Sequence, residues 1–181
     1  MQIQAIRTLM LAVLAVTGLA ACAGMRIDTS SSPALDPQSA VAVLALANNT
    51  STPYAGQRVQ QQLAALLTAH GVGTLSIEPS AVSGPLPVGN DAQDMNKALA
   101  WARAQQARYA LTGSVDEWRY KIGLDGQPAV GFTLRLIDLG NGKTVWSGAA
   151  SASGHSREGL AVLSQHVLDQ LVMRLLRKSS T

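Results

Sequence analysis

The 181-residue chain has one cysteine, Cys22, and three histidines. A lone thiol excludes an internal disulfide framework, and so few soft ligands leave no basis for a structural zinc site, so neither metal nor cofactor is expected. Charge is also scarce: 14% of residues are Asp, Glu, Lys or Arg, with a net charge of +3. The pI is near 9.4, yet no run of Lys and Arg exists to follow a phosphate backbone, and nucleic acid is not an expected partner. No internal repeat is visible, and the longest apolar stretch falls short of the roughly 20 residues of a spanning helix.

That stretch lies at the N-terminus. Arg7 precedes the apolar run Leu9 to Val16, which closes on Leu19-Ala20-Ala21-Cys22. A basic residue, a short apolar core and small residues at the end form a secretory signal. Leu-Ala-Ala-Cys also resembles the lipobox of bacterial lipoproteins, which implies removal of residues 1–21 and acylation of Cys22. Several acyl chains make such attachment effectively permanent, so the protein is expected to be anchored and not spanning. Ala23, where an aspartate would signal retention at the inner membrane, implies passage to the outer membrane. Cleavage takes away Arg7 and no acid, leaving the mature chain nearly neutral.

Residues 22–38 are rich in Ser, Pro and Asp and read as an irregular lipidated tether, and residues 39–181 as one globular domain. The apolar run Ala40 to Ala47 predicts a strand buried on both faces. Thr52-Pro53 predicts a helix start, with Val59, Leu63, Leu66 and Leu67 on its buried face and His70 near its end. Thr74 to Glu78 is a short strand, and a Pro- and Gly-rich loop follows. Asn90 and Gln93 form a capping box for a helix carrying Met95, Ala98, Leu99 and Ala102, with Trp101 at its shoulder. Tyr109–Lys121, Ala129–Asp138 and Lys143–Ser151 predict an antiparallel meander, with turns at Leu124-Asp125-Gly126 and Gly140-Asn141-Gly142. Asn141-Gly142 suits a two-residue type I′ turn. Ser156 is read as the cap of a last helix, with Leu160, Leu163, Val167, Leu171 and Leu175 inside. The fold class is mixed α/β (α+β): one mixed sheet, βαβα, then a three-strand antiparallel meander and a C-terminal helix.

Catalytic signatures are missing. Gly154-His155-Ser156-Arg157-Glu158-Gly159 puts its second glycine one residue too late for a nucleophile elbow. Gly71-Val72-Gly73 follows a helix and lacks a third glycine, so it is a helix stop. Asp116 and Glu117 are adjacent in a strand and are expected on opposite faces, which excludes a local carboxylate dyad. Period two puts Leu111, Gly113 and Val115 on one face and Thr112, Ser114, Asp116, Trp118 and Tyr120 on the other. An acid beside two aromatics suits a sugar polymer or a partner subunit, or else a face closed by a helix. Catalytic residues are therefore none, and an export or interaction component is favoured over a periplasmic hydrolase.

From Arg108 to Gly148 the sequence contains Thr-Gly-Ser-Val, Glu-Trp-Arg-Tyr-Lys, Gly-Leu-Asp-Gly, Pro-Ala-Val-Gly and Val-Trp-Ser. These pieces, with the lipobox, the element order and the terminal helix, resemble the PelC family of outer-membrane lipoproteins of Pel exopolysaccharide export. Val-Trp-Ser also occurs in other envelope lipoproteins of similar fold, including activators of peptidoglycan synthases, which is the alternative reading. The PelC resemblance implies a non-enzymatic, dodecameric homo-oligomeric ring at the periplasmic face of the outer membrane. It implies as partners outer-membrane lipid, the channel PelB and a cationic polysaccharide. With little net charge to draw on, guidance of that polymer must come from a few acids multiplied by symmetry, Asp116 and Asp125 first, Glu117 and Asp138 next. Trp146, after the Asn-Gly turn, belongs either against lipid headgroups or in the core.

Overall fold

The computed structural model describes residues 24–30, 35–79, 91–122 and 126–176, with residues 91–93 described by backbone alone. The signal segment, Cys22, Asn90, Leu124 and Asp125 lie outside the described residues. Six strands among the described residues form one mixed sheet: β1 (Met25–Thr29), β2 (Val41–Asn48), β3 (Leu75–Ile77), β4 (Tyr109–Tyr120), β5 (Pro128–Asp138) and β6 (Thr144–Ser153). Three helices among the described residues accompany it: α1 (Ala55–Ala69), α2 (Asp91–Ala104) and α3 (Leu160–Leu176). The strand order is β1-β6-β5-β4-β2-β3. β2 runs parallel to β3 and β4, with α1 and α2 as crossovers, and the meander and β1 are antiparallel.

The uninterrupted apolar run of β2 reflects its two covered faces. Val41, Val43 and Leu46 join the main core beneath α1 and α3, while Ala42 and Leu44 pack on the opposite face under α2 with Ala98, Ala102, Ala110 and Ile137. A register shift between Val43 and Leu46 lets both residues face the same core. The α3 stripe Leu160, Leu163, Val167, Leu171 and Leu175 is buried as its spacing requires. Each such side chain contributes roughly 1.5–3 kcal/mol relative to exposure.

Four local expectations give way. The stretch expected to be irregular contains β1, paired with β6 from Met25↔Ala152 to Thr29↔Gly148, and Leu35 is buried in the main core. α1 begins at Ala55 after Tyr54, which takes a left-handed conformation (φ 62) and makes no side-chain cap. Thr52 instead donates its hydroxyl to the Trp118 carbonyl at 2.8 Å. The β5–β6 connection is longer than two residues: Asp138 N–H donates to Lys143 O at 2.9 Å, and within that turn only Gly142 has positive φ. α3 starts at Leu160, after Gly159, so Ser156 precedes the helix by a further turn.

Candidate functional site

Among the described residues, α2 covers one part of its sheet face, over Ala42 and Leu44 of β2, Ala110 of β4 and Ile137 of β5. Beyond it, the same face of β4, β5, β6 and β1 presents Thr133, Gly131, Ala149 and Ser151, small side chains that leave a shallow groove of about 560 Å³. Arg26, Asp28, Asp116, Glu117 and Arg119 stand along it.

The acids converge there because β4 is bulged. Val115 pairs with Phe132 and Glu117 with Gly131, so Asp116 is an extra residue. The alternation resets at this point, and two consequences follow. Trp118 turns to the core side, 5% exposed, with its ring edge-on to Phe132 at 6.3 Å, which corrects its expected place on the polar face. Asp116 and Glu117, expected on opposite faces, share one: a Cβ on Gly131 would lie 3.3 Å from the Cβ of Glu117 and 3.9 Å from that of Asp116.

The environments of these acids differ. Asp116 accepts from Asn49 Nδ2 at 3.0 Å and Ser114 Oγ at 2.7 Å on one oxygen, and from Thr133 Oγ1 at 2.8 Å on the other. These donors are all neutral, so they fix the carboxylate without cancelling its charge. Glu117 pairs with Arg119 Nε at 2.8 Å, and Asp28 with Arg26 Nε at 2.8 Å. The hydrogen bond and then the charge of Asp28 push the Arg26 guanidinium further above its ordinary range. Among the described residues, the groove thus carries one uncompensated negative charge, at Asp116, between two ion pairs.

The other acids expected at the site part company. Asp138 ends β5, six residues beyond Phe132 along the strand, or about 20 Å at ~3.3 Å per residue. It takes the Gly140 N–H at 2.8 Å and faces Arg108 at 3.5 Å, in a separate cleft that Arg103 also lines. Asp125 lies outside the described residues. Trp146 is 2% exposed in the main core, which corrects its place against headgroups: β6 alternation points it inward with Ala150 and Ala152. His70, expected near the end of its helix, places Nε2 2.7 Å from Asp169 Oδ1 and links α1 to α3. The sequence reading missed Asp28 and Arg26, although Met-Arg-Ile-Asp-Thr alternates as a strand does.

No family model matches the sequence, and comparison with curated proteins found no match. Among solved structures, the PelC dodecamer from Paraburkholderia phytofirmans is 38% identical, with a TM-score of 0.73 over 87% of this chain and 100% of that one. The chain belongs to the PelC family. A point variant of the same PelC dodecamer matches at 38% identity over 86% of this chain and 100% of that one, with a TM-score of 0.72. Lipoprotein GNA1162 from Neisseria meningitidis shares the fold, with a TM-score of 0.51 at 22% identity over 74% of this chain and 97% of its own. The mixed sheet and C-terminal helix expected from the sequence are thus those of PelC. Within this PelC-family chain, no group of three or more His, Cys, Asp or Glu among the described residues is placed to hold a metal.

Proposed function

We propose that this PelC-family chain is a lipid-anchored, non-enzymatic subunit of an exopolysaccharide-export apparatus at the periplasmic face of the outer membrane. In this reading Cys22 is acylated after loss of residues 1–21, and copies of the chain assemble into a ring below the outer-membrane channel PelB. A cationic polysaccharide, Pel, passes through. The observation that carries the reading is Asp116, a carboxylate immobilised by three neutral donors in an open groove. Repeated by symmetry, that charge attracts a cationic chain over the 8–10 Å that screening allows near physiological salt. Screening over that distance suits guidance without tight binding, and passage requires release. The dodecameric state of the solved PelC relative supports the ring.

Deletion and complementation test the reading. Cells lacking the protein should synthesise the polymer and fail to export it, and the wild-type chain should restore export. Normal export in the deletion strain, or polysaccharide cleavage by the purified protein, would end it.

A further inference from the structure

The strand register fixes where the chain enters the fold. Met25 lies level with Ala152 on β6, which is level with Val130 on β5 and Trp118 on β4. The N-terminal segment therefore emerges at the end of the sheet where the β4–β5 connection departs, with Lys121 N–H on Gln127 O at 2.7 Å. Met25 is three residues after Cys22, a reach of about 10 Å at ~3.4 Å per residue. An acyl group on Cys22 would hold this end, and no other, against the bilayer.

The same end gathers the exposed apolar side chains. Five large hydrophobic residues are exposed among the described residues: Tyr54, Ile77, Tyr120, Ile122 and Val162. All but Ile77 sit here. Tyr120 and Ile122 end β4 and enter the hairpin connection, with Ile122 wholly exposed. Val162 is in the first turn of α3, whose Leu160 N–H donates to the Tyr120 hydroxyl at 3.1 Å. Tyr54 precedes α1 at the point where Thr52 bonds to Trp118 O. Single exposed apolar residues are ordinary on a protein surface, but four at one end are a patch. Lys121 and Arg157 add positive charge, Arg157 in a segment joined to β5 through Gly154 N–H on Pro128 O at 2.8 Å. Tyrosines, an aliphatic tip and basic residues together suit the boundary between headgroups and acyl chains.

We propose that this end of the sheet, Tyr54, Tyr120–Ile122, Arg157 and Val162, is the face that lies on the lipid bilayer, with Ile122 inserted below the headgroups. The proposal rests on acylation of Cys22 and assigns the membrane contact to residues other than Trp146.

The test uses the lipidated protein in vesicles of phosphatidylethanolamine and phosphatidylglycerol with brominated acyl chains. Ile122→Cys carries a thiol-linked fluorophore, and Lys143→Cys, exposed in the turn at the opposite end of the sheet, carries the same one. Acylation occupies the Cys22 sulfur, so labelling is confined to the new thiol. Bromine should quench the label at 122 several-fold more strongly than the label at 143. Equal quenching, with acylation of Cys22 verified by mass, overturns the assigned face and leaves the anchor intact. A Cys22 that carries no lipid overturns the anchor and the face together.

Discussion

Gly148 leaves the space that Trp146 fills. A methyl group on Gly148 would stand 2.6 Å from Cη2 and 2.8 Å from Cζ2 of the indole, and 3.1 Å from Leu171 on α3. Trp146 therefore lies folded along its own strand beneath α3. Gly148→Ala should cost about 1–3 kcal/mol through overpacking, and Trp146→Ala about 3–5 kcal/mol through loss of the indole. Denaturant unfolding of the chain from Cys22 onward, made without lipid, measures both. An unchanged midpoint for Trp146→Ala would return that residue to a surface role.

Asp116→Asn should separate charge from structure. The Thr133 hydroxyl reverses to accept from the new amide, so stability changes by about 1 kcal/mol or less, while the groove loses its uncompensated charge. Export should fall, and Asp116→Lys should lower it further. Binding of a cationic amino-sugar oligomer should weaken in both variants and should depend on salt in the wild type. Full export with Asp116→Lys would remove Asp116 from the mechanism.

Gly113 is required by backbone and not by a turn. A Cβ there would strike the Thr133 carbonyl of the neighbouring strand. That atom belongs to the β4–β5 ladder and has no rotamer by which to escape. Gly113→Ala should cost about 3 kcal/mol or more, which thermal unfolding will register as a large drop in Tm.

The His70–Asp169 contact should matter little in comparison. Its side chains are 31% and 32% exposed, and pairs open to water contribute about 0–1 kcal/mol. Asp169→Ala should leave the unfolding midpoint almost unmoved, and a loss above 2 kcal/mol would mean that the α1–α3 seam depends on it.

Gln60 should behave in the opposite way. It is fully buried, and Nε2 donates to Val43 O at 3.1 Å and Glu78 O at 3.0 Å, tying α1 to β2 and to the end of β3. Gln60→Leu leaves those carbonyls short of a donor and should cost roughly 1–3 kcal/mol, with faster amide exchange at residues 75–78.

The elements with sustained periods were legible before the fold was known. The α3 stripe, the two-faced burial of β2 and the three meander strands each follow from many residues that agree. What escaped was set by single residues. Val115 and Trp118 both face the core at a spacing of three, which no period-two reading of β4 allows, and only the pairing partners reveal the additional Asp116. The site depends on that residue, since the bulge brings Asp116 and Glu117 to one face. β1 was hidden by its setting, five alternating residues followed by a Ser-rich stretch, and it forms because β6 offers it an edge. Thr52-Pro53 has the composition of a helix start, but the Trp118 carbonyl takes the Thr52 hydroxyl and the helix begins later.

If Cys22 is acylated as proposed, β1 also gives its anchor two lengths of leash. While it is zipped to β6, about three residues, or ~10 Å, separate Cys22 from the folded body. If the five-residue strand peels away together with Ser30, whose N–H donates to Ser147 O at 2.8 Å, the next fixed point among the described residues is Leu35, buried and bonded through its N–H to Leu175 O at 2.9 Å. Leu35 lies roughly thirteen residues after Cys22, a span of at most ~45 Å at full stretch. An edge strand paired on one side only is among the cheaper parts of a sheet to open. Amide protection at residues 25–29 should accordingly be weaker than in β5. If Cys22 is acylated as proposed, how far the folded body can move from the bilayer is set by a short ladder at the sheet edge, not by the length of the linker.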